Sequence, residues 1–149
     1  GKALGAAGAF VAGPDWAIDY LIQRARPFVF STAAPPALAA ALDASLTLVA
    51  SEPERRTRLS ERARFVRTRL AEAGIPIAAG FSQIIPVVLG ENETAVAVAH
   101  ALQEQGFDVR AIRPPTVPPG TARLRISVNA EVTESALDRF VTALAACLG

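Results

Sequence analysis

The spacing of the hydrophobic residues from residue 81 to the C-terminus most constrains how this chain can fold. Three segments, SQIIPVVLG, FDVRAI and ARLRISV, have the apolar runs or alternation that are typical of β-strands. Between the first two segments, Asn92 would cap a helix over residues 93–105 that Gly106 ends. Thr133 would cap a last helix whose buried face consists of Leu137, Phe140, Val141 and Leu144. The order strand, helix, strand, strand, helix predicts a small α+β unit with its helices on one side of the sheet, and Pro86 places the first strand at an edge or a bulge.

Residues 1–50 have a different pattern, in which short apolar runs are separated by prolines and small residues. The runs at residues 9–12 and 27–30 are bounded by turn residues, so each predicts a buried strand. Asp15 would cap a helix between them, and Pro36 would begin a long helix after the second run. We therefore expect this part of the chain to be the edge of a different, larger sheet.

A further helix is predicted after residue 50, where Ser51 and Glu54 form a capping-box pattern and Gly74 marks the end. Its many arginines raise the alternative of a nucleic-acid surface: Arg55, Arg56, Arg58, Arg62, Arg64, Arg67 and Arg69. Glutamates are interspersed among them and no aromatic residues form a stacking platform. The pattern therefore favours a solvated helix face over a nucleic-acid partner.

The composition limits the class of protein. Hydrophobic residues make up 51% of the chain and the net charge is +1, which indicates a soluble globular protein without a polyanionic partner. Charged residues and prolines interrupt the weakly polar stretches, so no membrane span is predicted. The single cysteine, Cys147, is expected to be a buried structural thiol, and His100 lacks partners at metal-ligand spacing. Because the chain contains no methionine, we expect it to be processed, trimmed or part of a longer product.

Lysine is almost absent from this sequence. Of the fifteen basic residues, fourteen are arginine, and the one lysine is Lys2, in GKALG. Arginine keeps its proton near neutral pH, whereas a desolvated lysine can become an amine nucleophile. If the protein forms a Schiff base, Lys2 must form it. The alternative is that arginine has generally replaced lysine and that Lys2 has no special role.

The segment AIRPPTVPPGTARLRIS, residues 111–127, places three arginines around a loop that contains four prolines. Each proline fixes its own φ and favours extended geometry in the residue before it, so the loop has a defined shape. Arg123 and Arg125 are two residues apart in a predicted strand and would therefore lie on the same face. We expect this loop and its arginines to bind an anion.

Four segments stand out in order along the chain: GKALGAAGAFVAG, RPFVFSTAAPP, SQIIPVVLGEN and AIRPPTVPPGTARLRIS. In this order and spacing they closely resemble the C-terminal half of the α-oxoamine synthases, which are pyridoxal-phosphate enzymes of the aspartate-aminotransferase fold type. The resemblance covers essentially the whole chain. It implies a mixed α/β and α+β fold, with residues 1–50 ending the large cofactor-binding domain and residues 51–149 forming the small C-terminal α+β domain.

The resemblance also implies a cofactor, pyridoxal 5′-phosphate (PLP), and roles for individual residues. Lys2 matches the lysine that binds the cofactor covalently and later moves the Cα proton of the substrate. Ser31 and Thr32 match hydroxyl residues that reach the cofactor phosphate across a dimer interface, although they could also be plain polar residues at the end of a strand. Arg125 matches the arginine that binds the carboxylate of the amino-acid substrate. Thr116 and Arg113 match positions that line the same site, and the alternative for Arg113 is an anionic group of the acyl-CoA. Arg123 is expected to be structural.

The activity that the resemblance implies is a decarboxylative condensation of L-alanine with pimeloyl-CoA, or with a pimeloyl carrier-protein thioester, by a homodimeric cytoplasmic enzyme. Two alternatives stay open: a sister synthase that uses glycine or another acyl thioester, and a non-catalytic anion-binding α+β module. Relatives often carry an Ala-His pair after the arginine strand, where this chain has NAEVTES. The family's cofactor-stacking histidine and pyridine-facing aspartate lie upstream of the lysine, so we expect these 149 residues to be inactive alone.

Overall fold

The computed structural model describes residues 1–149, which divide into two compact units. The N-terminal unit comprises Gly1–Pro53 and the C-terminal unit comprises Glu54–Gly149. None of the helices is both long enough and apolar enough to cross a membrane.

The N-terminal unit consists of three helices joined by irregular segments: α1 (Asp15–Arg24), α2 (Arg26–Val29) and α3 (Pro36–Ser51). The long helix predicted to begin at Pro36 is confirmed. The helix predicted at Asp15 is also present, but Pro14 occupies the capping position and Asp15 is the first helical residue. No residue of this unit is buried.

Both strands predicted in the N-terminal unit are wrong. Residues 9–12 have no regular structure, and the side chains of Phe10 and Val11 are 87% and 70% exposed. The second apolar run falls largely within α2, where Pro27 occupies the first helical turn. A strand requires a neighbouring strand to satisfy its backbone hydrogen-bonding groups, and this unit contains no other strand for either run to pair with.

The C-terminal unit begins with a helix and continues in the predicted order of strand, helix, strand, strand, helix. The elements are α4 (Glu54–Glu72), β1 (Ile84–Gly90), α5 (Asn92–Glu104), β2 (Arg110–Ile112), β3 (Ala122–Ser127) and α6 (Glu134–Leu148). The strands form an antiparallel sheet in the order β1-β3-β2, so β1 is an edge strand, as Pro86 predicts.

The two faces of this sheet have different environments. Along β3, Ala122, Leu124 and Ile126 are buried, whereas Arg125 and Ser127, which alternate with them, are exposed. The buried face packs with α4, α5 and α6 around one core, to which Leu70, Leu102 and Leu144 contribute fully buried side chains. The opposite face is largely exposed within the unit, so the expectation that the helices lie on one side is confirmed.

The helix ends of this unit follow local signals with two exceptions. The first is the start of α4, where the predicted capping box is wrong because Ser51 is the last residue of α3 and Glu54 is the first residue of α4. Thr133 Oγ1 accepts a hydrogen bond of 3.2 Å from the backbone N–H of Ala136, as predicted for the cap of α6. Gly106 follows α5 with a φ of 86°, a left-handed conformation that favours glycine. The second exception is Asn92, which is the first residue of α5 and makes no capping hydrogen bond; Glu91 precedes it as the cap.

Two further expectations are corrected in this unit. The predicted strand FDVRAI is shortened to Arg110–Ile112, because the residues before it bond locally: the backbone N–H of Phe107 donates to Leu102 in α5, and that of Val109 donates to Phe107. Cys147 is half-buried rather than buried, and it packs against the outside of the core.

Candidate functional site

The proline loop, residues 113–121, joins β2 to β3 and is closed by a turn near each end. The backbone N–H of Thr116 donates to the carbonyl oxygen of Arg113 at 3.0 Å. Thr121 donates to the carbonyl oxygen of Pro118 twice, through its backbone N–H at 3.2 Å and its hydroxyl at 2.7 Å. The loop therefore holds Arg113 and Thr116 together, and both are exposed.

The exposed sheet face carries the arginines that follow this loop. Arg125 pairs with Pro86 of β1 on one side and with Arg110 of β2 on the other. Arg123 lies two residues earlier and pairs with Ile112 of β2. Residues that are directly paired across strands, or two apart along one strand, share a face, so Arg110, Arg123 and Arg125 rise from the same side of the sheet.

The two arginines of β3 differ in their contacts. Arg123 is half-buried, and its Nε donates to the carbonyl oxygen of Thr121 at 2.9 Å. Arg125 is exposed and makes no hydrogen bond or ion pair, so its whole guanidinium fork is free to bind a planar anion such as a carboxylate. This difference agrees with the interpretation of Arg123 as structural.

Lys2 lies in the N-terminal unit, in a turn of small residues. Its side chain is exposed, and Gly5 in the same turn has a φ of 64°. The hydroxyl of Ser45 in α3 donates to the carbonyl oxygen of Leu4 at 2.9 Å and so anchors the turn to that helix. A largely apolar cavity of 510 Å³ lies alongside and is lined by residues that include Gly1, Leu4, Phe10, Leu38 and Leu42.

Ser31 and Thr32 follow α2 rather than the strand that the sequence predicts. Both side chains are exposed, and the hydroxyl of Ser31 donates to the carbonyl oxygen of Pro27 in the same helix. The N-terminal unit therefore contains the one lysine side chain, that of Lys2, and the hydroxyls of Ser31 and Thr32. The arginines and Thr116 belong to the C-terminal unit.

One residue of the exposed sheet face was missed in the sequence. Arg110 lies directly opposite Arg125, yet no motif singles it out. The antiparallel pairing of β2 with β3 would have pointed to it, because the register identifies the partner of Arg125. The remaining candidate, His100, is exposed on α5 with its Nδ1 at 3.5 Å from Glu104 Oε1, and no group of three His, Cys, Asp or Glu side chains lies close enough to hold a metal ion.

Comparison with known families shows which family this chain belongs to. The family described as aminotransferase class I and II matches residues 1–144. The chain belongs to the aminotransferase class I and II family. Among curated members, the 8-amino-7-oxononanoate synthase of Anaeromyxobacter dehalogenans is 53% identical over 148 residues, and that of Marinobacter nauticus is 48% identical over 145 residues. The alignments cover 99% and 97% of this chain but only 37% of each relative, so the chain spans well under half of their length.

Solved structures of two PLP-enzyme types are similar to this chain over nearly its whole length. Serine palmitoyltransferase from S. paucimobilis, with a bound PLP–myriocin aldimine, is 29% identical and superposes with a TM-score of 0.85 over 97% of this chain and 37% of its own. The 8-amino-7-oxononanoate synthase of Francisella tularensis is 25% identical with a TM-score of 0.85 over 97% of this chain and 42% of its own. The expected family and the expected mixed α/β fold class are therefore confirmed.

Proposed function

We propose that this chain is the C-terminal part of a PLP-dependent acyltransferase of the 8-amino-7-oxononanoate synthase type. The whole enzyme would condense L-alanine with pimeloyl-CoA, or with a pimeloyl carrier-protein thioester, to give 8-amino-7-oxononanoate, carbon dioxide and the free thiol in biotin biosynthesis. The observation that carries the proposal is the 53% identity to a synthase of that name over 99% of this chain. A homodimer in the cytoplasm is part of the same proposal.

The side chains of the N-terminal unit fit PLP as a cofactor. The aldehyde of PLP requires a primary amine, and Lys2 is the only lysine, exposed and flanked by small residues that leave room beside it. The phosphate requires hydrogen-bond donors: the hydroxyl of Thr32 is exposed, and that of Ser31 would donate to the phosphate in place of the carbonyl oxygen of Pro27. When bound, PLP supplies an electron sink for the negative charge that develops at the substrate Cα.

In this proposal Lys2 has two tasks, to hold the cofactor through its amine and then to move the proton at the Cα of alanine. The second task requires an amine that can exchange a proton near neutral pH, which arginine cannot do. Residues 1–50 accordingly belong to the cofactor-binding domain, and residues 51–149 form the small domain.

The C-terminal unit would orient the amino acid. Arg125 would bind the carboxylate of alanine through paired N–H donors, and its lack of any partner in the unit supports this role. Thr116 and Arg113, joined by the turn of the proline loop, would line the same substrate site. Arg113 has a second possible ligand in an anionic group of the acyl-CoA.

A sister synthase with another amino acid or acyl thioester is the second candidate, because serine palmitoyltransferase structures superpose on this chain with TM-scores up to 0.89. Turnover of L-alanine, glycine and L-serine with pimeloyl-CoA by the full-length protein distinguishes the candidates. We expect product from L-alanine, with release of carbon dioxide, and from residues 1–149 alone we expect none.

The role of Lys2 is tested by reducing the full-length protein with borohydride in the presence of PLP. We expect PLP to become covalently attached to the peptide that contains Lys2, and Lys2→Ala to abolish the attachment. Arg64→Ala, which replaces an exposed basic residue of α4, is the matched control and should label like the wild type. Labelling that survives Lys2→Ala would exclude Lys2 as the attachment site.

A further inference from the structure

Arg110 and Arg125 form an unusual pair on the exposed face of the sheet. They are register partners in the antiparallel β2–β3 ladder, which brings their Cβ atoms to about 5 Å. Like charges directly opposite one another destabilise a sheet. The arrangement therefore favours an anion between or above the two side chains.

The protein itself supplies one anion to this pair, Asp108, and its contact with Arg110 is weak. Asp108 Oδ1 lies 2.9 Å from an Nη of Arg110, but the two side chains are 65% and 78% exposed. Exposed ion pairs contribute little because water and salt screen them and both side chains lose rotamer freedom. Arg125 has no acidic partner. Most of the N–H donors of this pair are therefore available to a ligand.

The chemistry of the proposed reaction identifies a ligand with the right charges. This step rests on the proposed function. Alanine brings one carboxylate, which Arg125 would bind. The acyl donor is the monothioester of a dicarboxylic acid, so it carries a second carboxylate at the end of the chain that does not react. A plain fatty acyl thioester lacks that carboxylate, and a guanidinium fork is the side chain that best distinguishes the two.

We propose that Arg110 binds the distal carboxylate of the acyl donor and is a specificity-determining residue of this enzyme. Arg110 and Arg125 are separate guanidinium groups on adjacent strands, so each can bind the carboxylate of a different molecule. Asp108 then acts as a competitor that occupies Arg110 until the acyl donor arrives. An arginine that served only as a surface ion pair would not distinguish between acyl donors.

The test compares two acyl donors of equal chain length in the full-length enzyme loaded with PLP. Pimeloyl-CoA carries the distal carboxylate, and heptanoyl-CoA has a methyl group in its place. We expect Arg110→Gln to raise KM for pimeloyl-CoA about 10- to 100-fold, because a charge-assisted hydrogen bond is lost. The KM for L-alanine and the kcat/KM for heptanoyl-CoA should not change. Arg110→Lys should recover part of the loss, and Arg139→Gln, at an exposed position of α6, should behave as the wild type.

Three results would overturn this inference: a wild-type enzyme that does not prefer pimeloyl-CoA, an Arg110→Gln variant slowed equally with both donors, or one slowed with neither. A wild-type protein that forms no product with either donor would instead reject the proposed function. In that case, binding of free pimelate and heptanoate to residues 1–149 is measured by NMR. Tighter binding of pimelate that Arg110→Gln abolishes supports the arginine site, and equal binding of the two acids overturns it.

Discussion

Arg69 Nε donates a hydrogen bond of 2.7 Å to Asp138 Oδ1 and so links α4 to α6 across the surface of the C-terminal unit. The same guanidinium donates to Glu72. Both hydrogen bonds raise the pKa of Arg69 above its usual value, and the one to Glu72 has the larger effect. Two more arginines of α4 reach acidic residues around the start of α6, Arg62 at Glu134 and Arg58 at Glu131. Part of the basic face of α4 is therefore occupied by contacts within the unit.

The Arg69–Asp138 pair should make a small contribution to stability. Both side chains are more than a third exposed, so solvent screening limits the coupling free energy to about 0.2–1 kcal/mol. A double-mutant cycle with Arg69→Ala and Asp138→Ala in urea denaturation measures this coupling. The control cycle pairs Arg64→Ala with Asp138→Ala and should give a coupling near zero. A coupling above about 2 kcal/mol would show that the pair is far better shielded than its exposure indicates.

The core of the C-terminal unit should depend strongly on Leu124. This residue lies at the centre of β3 and is fully buried. Leu124→Ala removes apolar contacts and leaves a cavity, so we expect the free energy of unfolding to fall by about 2–5 kcal/mol. Val88→Ala is the matched control, since Val88 is 51% exposed on the opposite face of the same sheet and its loss should be below about 1 kcal/mol. Equal losses of unfolding free energy would contradict the finding that Leu124 is on a buried face of the sheet and Val88 on an exposed one.

The two units should differ in their ability to fold alone. Every buried hydrophobic residue lies between Ala63 and Leu144, and the N-terminal unit has none. Apolar burial is the main force that opposes the loss of chain entropy on folding. We expect a peptide of residues 54–149 to unfold cooperatively, whereas residues 1–53 should show only fraying helices by circular dichroism and hydrogen exchange. Cooperative unfolding of residues 1–53 would contradict this expectation.

Most elements of the C-terminal unit could be predicted from the sequence because their signals are local. The cap at Thr133 and the edge position of Pro86 each depend on a few neighbouring residues. The strands predicted at residues 9–12 and 27–30 depend instead on a partner strand, which periodicity cannot supply. A short apolar run without that partner can adopt a helical turn, as α2 does.

The candidate residues show the same division between local and non-local information. Lys2 is found by counting, because it is the only lysine, and Arg125 by its resemblance to a family position. Arg110 could not be found in this way, because its significance lies in its pairing with Arg125 across two strands. The roles of Lys2, Ser31, Thr32 and the loop residues stay predictions until they are tested.

The final prediction concerns which arginine of β3 holds the carboxylate of the amino acid. Arg125 has a free guanidinium, whereas Arg123 already donates from Nε to Thr121, so we expect Arg125→Ala to lower kcat/KM for L-alanine roughly 30- to 1000-fold in the full-length enzyme, or about 2–4 kcal/mol. Arg125→Lys should recover only part of this loss, because an ammonium keeps the charge but cannot make the paired contact. Covalent attachment of PLP should persist in both variants, since Lys2 does not require the carboxylate contact. Titration of the visible absorbance with L-alanine measures the affinity directly. If Arg123→Ala weakens alanine binding and Arg125→Ala does not, the carboxylate belongs to Arg123; if neither variant does, the proline loop and its strand do not bind the amino acid.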